Sequence, residues 1–102
     1  MQRTYNTGII NCSKDSNALY IRLTNTSSHS NAISITIYDY SNPTPRIAYN
    51  SILYVNPKSI KSLTFPLMTR NYEDCFNIES YGISYTTPNH FIQLSYKELY
   101  ID

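Results

Sequence analysis

The residues of this 102-residue chain that could do chemistry are two histidines, two cysteines, a scatter of serines and eleven tyrosines. His29 and His90 belong to no spaced metal motif, and neither Cys-x-x-Cys nor His-x-x-x-His occurs. A structural zinc site needs four ligands at ordered spacings, and that pattern is missing. No serine lies in a G-x-S-x-G elbow, the strained turn that exposes a nucleophile. Glu73-Asp74 and Lys97-Glu98 read as solvated charges at strand ends rather than as an acid–base pair. These residues point away from an enzyme and from any cofactor or metal. A catalytic role would require a cleft with polar groups converging on His29 or His90.

The cysteines leave three outcomes open. Cys12 closes a polar N-terminal stretch, and Cys75 faces outward if the alternation over 72–80 holds. They can pair within one chain, pair between chains, or stay free. Spacing does not choose among these, because a disulfide depends on a Cα separation of about 4.4–6.8 Å. Most tyrosines fall in predicted strands, where such rings cover cross-strand neighbours. Tyr20 and Tyr38 lie on the predicted outer face and are the candidates for lateral contact with a partner.

The elements that must position these residues are strands. In 18–25, Leu19, Ile21 and Leu23 alternate with Tyr20, Arg22 and Thr24; in 32–40, Ile33, Ile35 and Ile37 alternate with Ser34, Thr36 and Tyr38. A period of two in β-branched and aromatic residues predicts half-buried strands. The six aliphatic side chains are expected to point the same way and to need a covering layer from the rest of the chain. Residues 46–55 read as a strand with Ile47, Tyr49, Ser51 and Leu53 on one face. Further strands are predicted over 60–67, 72–80, 83–86 and 90–101, with Phe76 and Ile78 on the core face. Seven or eight short strands with frequent turns and no helical period predict one antiparallel β-sandwich, jelly-roll-like, over residues 13–102. With only two glycines in the chain, asparagines in the loops (among them Asn25, Asn31, Asn42, Asn56, Asn71 and Asn89) are expected to supply positive φ. Residues 1–12, MQRTYNTGIINC, form a polar arm with one apolar pair, Ile9-Ile10. Taken alone this stretch reads first as a flexible tail and only second as an extended arm that docks.

Composition narrows the partners. The net charge is +1 without a basic run, which disfavours nucleic acid and anionic membrane. Residues 1–11 lack the basic start and apolar core of a secretory signal, and no run is long and apolar enough to span a bilayer. Asn25-Thr26-Ser27 and Asn11-Cys12-Ser13 match the glycosylation pattern, as expected by chance in a Ser/Thr/Asn-rich chain. Only eight Lys and Arg are available to guard sheet edges, a composition that reads equally as tolerance of edge-to-edge assembly or as a surface kept in solution by Ser, Thr and Asn.

Four stretches, YIRLTNTSSHSNAISITIYDYSN, ILYVNPKSIKSLTFPL, CFNIES and QLSYKELYID, carry a resemblance. Together they resemble the small β-sandwich proteins on spores of Bacillus-group bacteria, among them the subunits of the pilus-like endospore appendages. The shared features are R-x-x-N-T-S after the first strand, Y-D-x-S ending the second, P-x-S before an F-P-L strand, and a late E-L. The resemblance implies a structural subunit of a spore-surface fibre, a homopolymer with a possible anchor or tip protein, placed outside the cell without a signal peptide. It further implies that the arm enters a neighbouring subunit, with Tyr5, Thr7, Gly8, Ile9 and Ile10 at the contact and sheet edges paired laterally. Appendage subunits carry adjacent cysteines in this connector, whereas Cys12 stands alone here. The alternative reading is a non-catalytic surface module that grips glycan or protein through exposed tyrosines.

Overall fold

The computed structural model describes residues 2–70, 75–88 and 91–101, with residues 69, 70, 75 and 76 described by backbone alone. Its strands are β1 (Arg3–Asn6), β2 (Ile10–Asn11), β3 (Ala18–Asn25), β4 (Asn31–Asp39), β5 (Arg46–Val55), β6 (Ser59–Pro66), β7 (Met68–Arg70), β8 (Cys75–Asn77), β9 (Ser80–Thr87) and β10 (Ile92–Leu99). One sheet has the order β1-β9-β4-β5, with β2 also on β9; the second is β10-β3-β6; β7 and β8 form a short ribbon. Every pairing is antiparallel. The chain is an all-β sandwich, as the alternation predicts. The strand number rises above seven or eight because the arm adds β1 and β2 and the stretch after Leu67 adds the ribbon.

The six alternating aliphatic residues are all buried: Leu19, Ile21, Leu23, Ile33, Ile35 and Ile37 each have 0% exposure. They do not share one sheet, however. β3 lies in the second sheet and β4 in the first, so the two rows meet face to face and cover each other. The polar loop between them is a crossover from layer to layer, and its lack of glycine is what denies it a tight two-residue hairpin. At about 2 kcal/mol per fully buried aliphatic side chain, this contact is the largest single stabilising unit of the domain. Val55, Leu67, Ile78, Tyr81, Ile83 and Ile92 close the core around it.

Two further expectations are corrected. The register of β4 against β5 shifts between Ile37 and Tyr38, so Tyr49 lies opposite Ile37 while Ile47 lies opposite Tyr38. This bulge flips Ile47 to the outside, 58% exposed, and leaves Ala48 packed against the core. Asn25, Asn31, Asn42 and Asn56 do not carry positive φ either, since among the described residues only Gly8 and Lys58 do; Asn71 and Asn89 lie outside the described residues. Asn25 organises its loop with its side chain instead. It is 1% exposed, and its amide donates to the carbonyls of His29, Val55 and Asn56 at 2.8, 3.0 and 3.2 Å. Its Oδ1 accepts from the amide and hydroxyl of Ser27. The glycosylation-like Asn25-Thr26-Ser27 is thus closed within the fold.

Replacing Asn25 by Ala removes three hydrogen bonds at the crossover, the one to the Val55 carbonyl buried, and is expected to lower the unfolding free energy by roughly 2–3 kcal/mol. Asn25→Asp, which turns a carboxylate toward those carbonyls, is expected to cost more. Urea unfolding with an unchanged denaturant slope checks both.

Candidate functional site

The feature that the sequence could not place is the arm. Rather than leaving the body, it lies along the edge of β9 in its own chain: Arg3, Thr4, Tyr5 and Asn6 pair with Thr87, Thr86, Tyr85 and Ser84. Ile10 and Asn11 then pair with Tyr81 and Ser80. In the single chain the arm thus pairs internally, for a physical reason. β9 has β4 on one side only, and its other row of N–H and C=O groups needs a partner.

Between the two arm strands, Thr7-Gly8-Ile9 stands opposite Gly82 and Ile83, three residues against two. The extra residue is absorbed by a kink at Gly8, whose φ is +75°. A side chain there would be strained, which is why a glycine fits. Asn6 Oδ1 accepts from the Gly8 amide at 2.8 Å and holds the kink. Thr7 repairs the interrupted ladder, donating its N–H to the Ile83 carbonyl at 3.0 Å. Its hydroxyl in turn accepts the Ile83 N–H at 3.0 Å. The kink pushes Ile9 outward, 65% exposed, while Ile10 packs against the core. Of the two expected apolar anchors, only Ile10 serves.

Directly across the seam lies the only other glycine of the chain. A Cβ on Gly82 would stand 3.0 Å from the Gly8 carbonyl oxygen and 2.9 Å from Cε2 of Tyr40. Both glycines thus serve one crossing, Gly8 to bend the arm and Gly82 to let its backbone pass under Tyr40. Above the kink, Tyr5 stacks on Tyr85 at 4.9 Å, and Thr4 shares a hydroxyl hydrogen bond with Thr86. Below it, Ser80 donates to Asn11 Oδ1 at 3.0 Å, and the Cys12 amide donates to the Glu79 carbonyl at 2.8 Å.

The lower end of the arm is caught by Glu98 of β10, which belongs to the opposite sheet. Its carboxylate accepts the Ser13 N–H and the hydroxyl of buried Tyr81, each at 2.8 Å. One side chain therefore ties the arm and both layers together. Burial raises the Glu98 carboxyl, but the bonds from Ser13, Tyr81 and Ser16 outweigh it and hold the group below the ordinary glutamate range. Tyr81 is pushed well above its ordinary value by burial first and by Glu98 second. The Cys12 thiol is raised by burial, then by Glu98, which keeps it protonated and slow to react.

The other candidate residues are dispersed. Tyr20 sits on the outer face of the second sheet under the Lys97 ammonium, 5.7 Å from its ring. Tyr38 is on the outer face of the first, tilted against Tyr40 at 6.1 Å. His29 lies exposed in the crossover loop. His90 and the Cys75 side chain lie outside the described residues, and so does the choice among the three outcomes for Cys12 and Cys75. Among the described residues no three His, Cys, Asp or Glu side chains gather as a metal site, and no helix is long and apolar enough to cross a membrane.

Gly82→Ala is expected to lift the arm, raising hydrogen exchange at the Thr7 and Cys12 amides by about tenfold or more while the core amides change little. The Glu98 catch carries a pH dependence of known sign. Because its folded pKa is depressed, its stabilisation is present above the unfolded value of about 4.3 and is lost as the pH falls through the lower folded value. Acid exchange measurements should show the Ser13 amide loosening only below about pH 4. Glu98→Gln should keep both bonds and remove that pH step; Glu98→Ala should loosen the arm at neutral pH.

The chain matches no family model, no curated protein and no solved structure, so its role is read from the seam itself.

Proposed function

We propose that this chain is a structural subunit that polymerises by lending its N-terminal arm to the β9 edge of a neighbour, as the resemblance to spore-appendage subunits implies. The observation that carries this reading is the seam: both glycines of the chain shape one groove for one extended peptide. A groove so built accepts the same peptide from its own chain or from another copy, because the contacts are identical in either case. The tether is short, residues 13–17, and is held by Ser13 and Ser16 to Glu98 and by Asn17 to Leu67, Leu99 and Ile101. Repeating one arm-to-groove contact from copy to copy gives a filament.

Exchange alone gains no new hydrogen bonds, so the assembly needs a second contact. The free edge of β5 supports it. That strand is ten residues long, exposes Ile47, Ile52 and Tyr54, and has Arg46 as its only charged residue. A lysine caps one end, where Lys61 Nζ donates to the Tyr54 carbonyl at 3.2 Å; the rest is open to lateral pairing. A spore-surface location and an anchor or tip partner belong to the same proposal.

Full-length protein, concentrated and followed by light scattering and negative-stain imaging, is expected to form filaments. A chain lacking residues 1–11 is expected to stay monomeric, and an added peptide of residues 1–12 should fill free grooves and slow the growth of full-length filaments. Glu98→Ala should shorten the lag, because opening the arm precedes exchange. Identical filaments from the full and shortened chains, or a full-length monomer at every concentration, would refute the proposal.

A further inference from the structure

Among the described residues, the outer face of the first sheet differs in charge from the outer face of the second. Alternation places Thr4, Thr86, Ser34 and Ile52 in one cross-strand row and Asn6, Ser84, Thr36 and Asn50 in the next. Among the described residues, no charged side chain projects from this face. The outer face of the second sheet, by contrast, carries Arg22 and Lys97 in register beside Ser95 and Tyr20. The low charge of the chain is therefore not spread evenly; it is withdrawn from one surface.

Aromatic rings bound that neutral surface at both ends. Tyr38 and Tyr40 lean together at one end. Tyr54, opposite Ala32 at the other end, is 67% exposed. Six residues of β4 separate the two ends, about 20 Å. Near Tyr54 the face deepens into an open groove of about 430 Å³ lined by hydroxyl, amide and apolar groups, including Gln2, Ser34, Ile52, Thr86 and Pro88.

We infer that this face binds a neutral oligosaccharide lying along β4. Hydroxyl and amide side chains both donate and accept hydrogen bonds, which suits a ligand made of hydroxyls. The exposed ring of Tyr54 at one end, with the half-buried pair Tyr38 and Tyr40 at the other, suits the apolar C–H faces of sugar rings. Nucleic acid, anionic lipid and acidic polysaccharide all require positive charge, which here lies on the opposite sheet. The inference does not depend on the arm exchange, since the groove and Tyr54 are present in the closed monomer.

The test is a titration of the isotopically labelled full-length chain with chitotetraose, cellotetraose and maltotetraose, read by amide NMR. At least one sugar is expected to shift the Ser34, Thr36 and Thr86 amides saturably, leaving Arg22 and Ser95 in place. Tyr54→Ala and Ser34→Arg, both surface changes expected to fold normally, should each weaken binding by about tenfold or more. Tyr20→Ala, on the charged face, should leave it unchanged. Binding by none of the three sugars, or shifts that survive both variants, would overturn the inference. Self-association abolished by Ser34→Arg without any sugar response would overturn it too, making the face a contact between copies. Filament formation in the arm experiments is a separate readout, so either idea can fail alone.

Discussion

A strand inside a sheet has two rows of backbone polar groups, and β9 can satisfy only one of them through β4. That constraint sets the rest of the molecule. Leaving an eight-residue edge bare invites association with whatever strand is nearby. The nearest in the isolated chain is its own N-terminus. The kink at Gly8, the bare Cα of Gly82, the ladder repair by Thr7 and the reach of Glu98 from the second sheet all follow from fitting one more peptide along that edge. None of them adds much to the apolar core. Each acts on whether the edge is covered.

The core was legible in the sequence because a side-chain period of two reports burial directly. Leu19 through Ile37 fall where alternation puts them. Sheet membership was not legible, since the same period describes two paired strands and two strands facing each other across a sandwich. What decides is the choice of partners, β6 and β10 for β3 against β5 and β9 for β4, and the five-residue loop 26–30 is compatible with either arrangement. Ile47 was misplaced for a related reason: a one-residue bulge reverses every face assignment beyond it, and a bulge has no composition of its own.

The seam was half legible. Tyr5, Thr7, Gly8, Ile9 and Ile10 stood out as an arm with something to dock, and all of them lie along β9. Ile9 was counted as an anchor because an apolar pair reads as two anchors, yet consecutive residues of an extended chain point oppositely. Glu98 could not be found at all. In sequence it is one more charge beside Lys97, and its role comes only from the twofold coincidence that β10 turns it inward and that Tyr81 and Ser13 arrive there from elsewhere. The scarcity of glycine was the available signal. In a β-rich chain with two glycines, each should be asked what passes close to it, and here the answer to both is the other.

The proposed exchange between copies turns on concentration. A short tether holds a segment near its own groove at an effective concentration in the mM range. A neighbour's identical arm, making the same contacts, displaces it only where subunits are packed to comparable density or where a second contact adds to the first. On that proposal, isolated chains in dilute solution keep their arms at home, held by Glu98. Crowded against a growing end, with the β5 edge already paired, the balance reverses without any change in the groove. A closed arm of this kind would delay polymerisation until subunits meet a surface or a nucleus, which is what a fibre built at one place and not throughout its compartment requires.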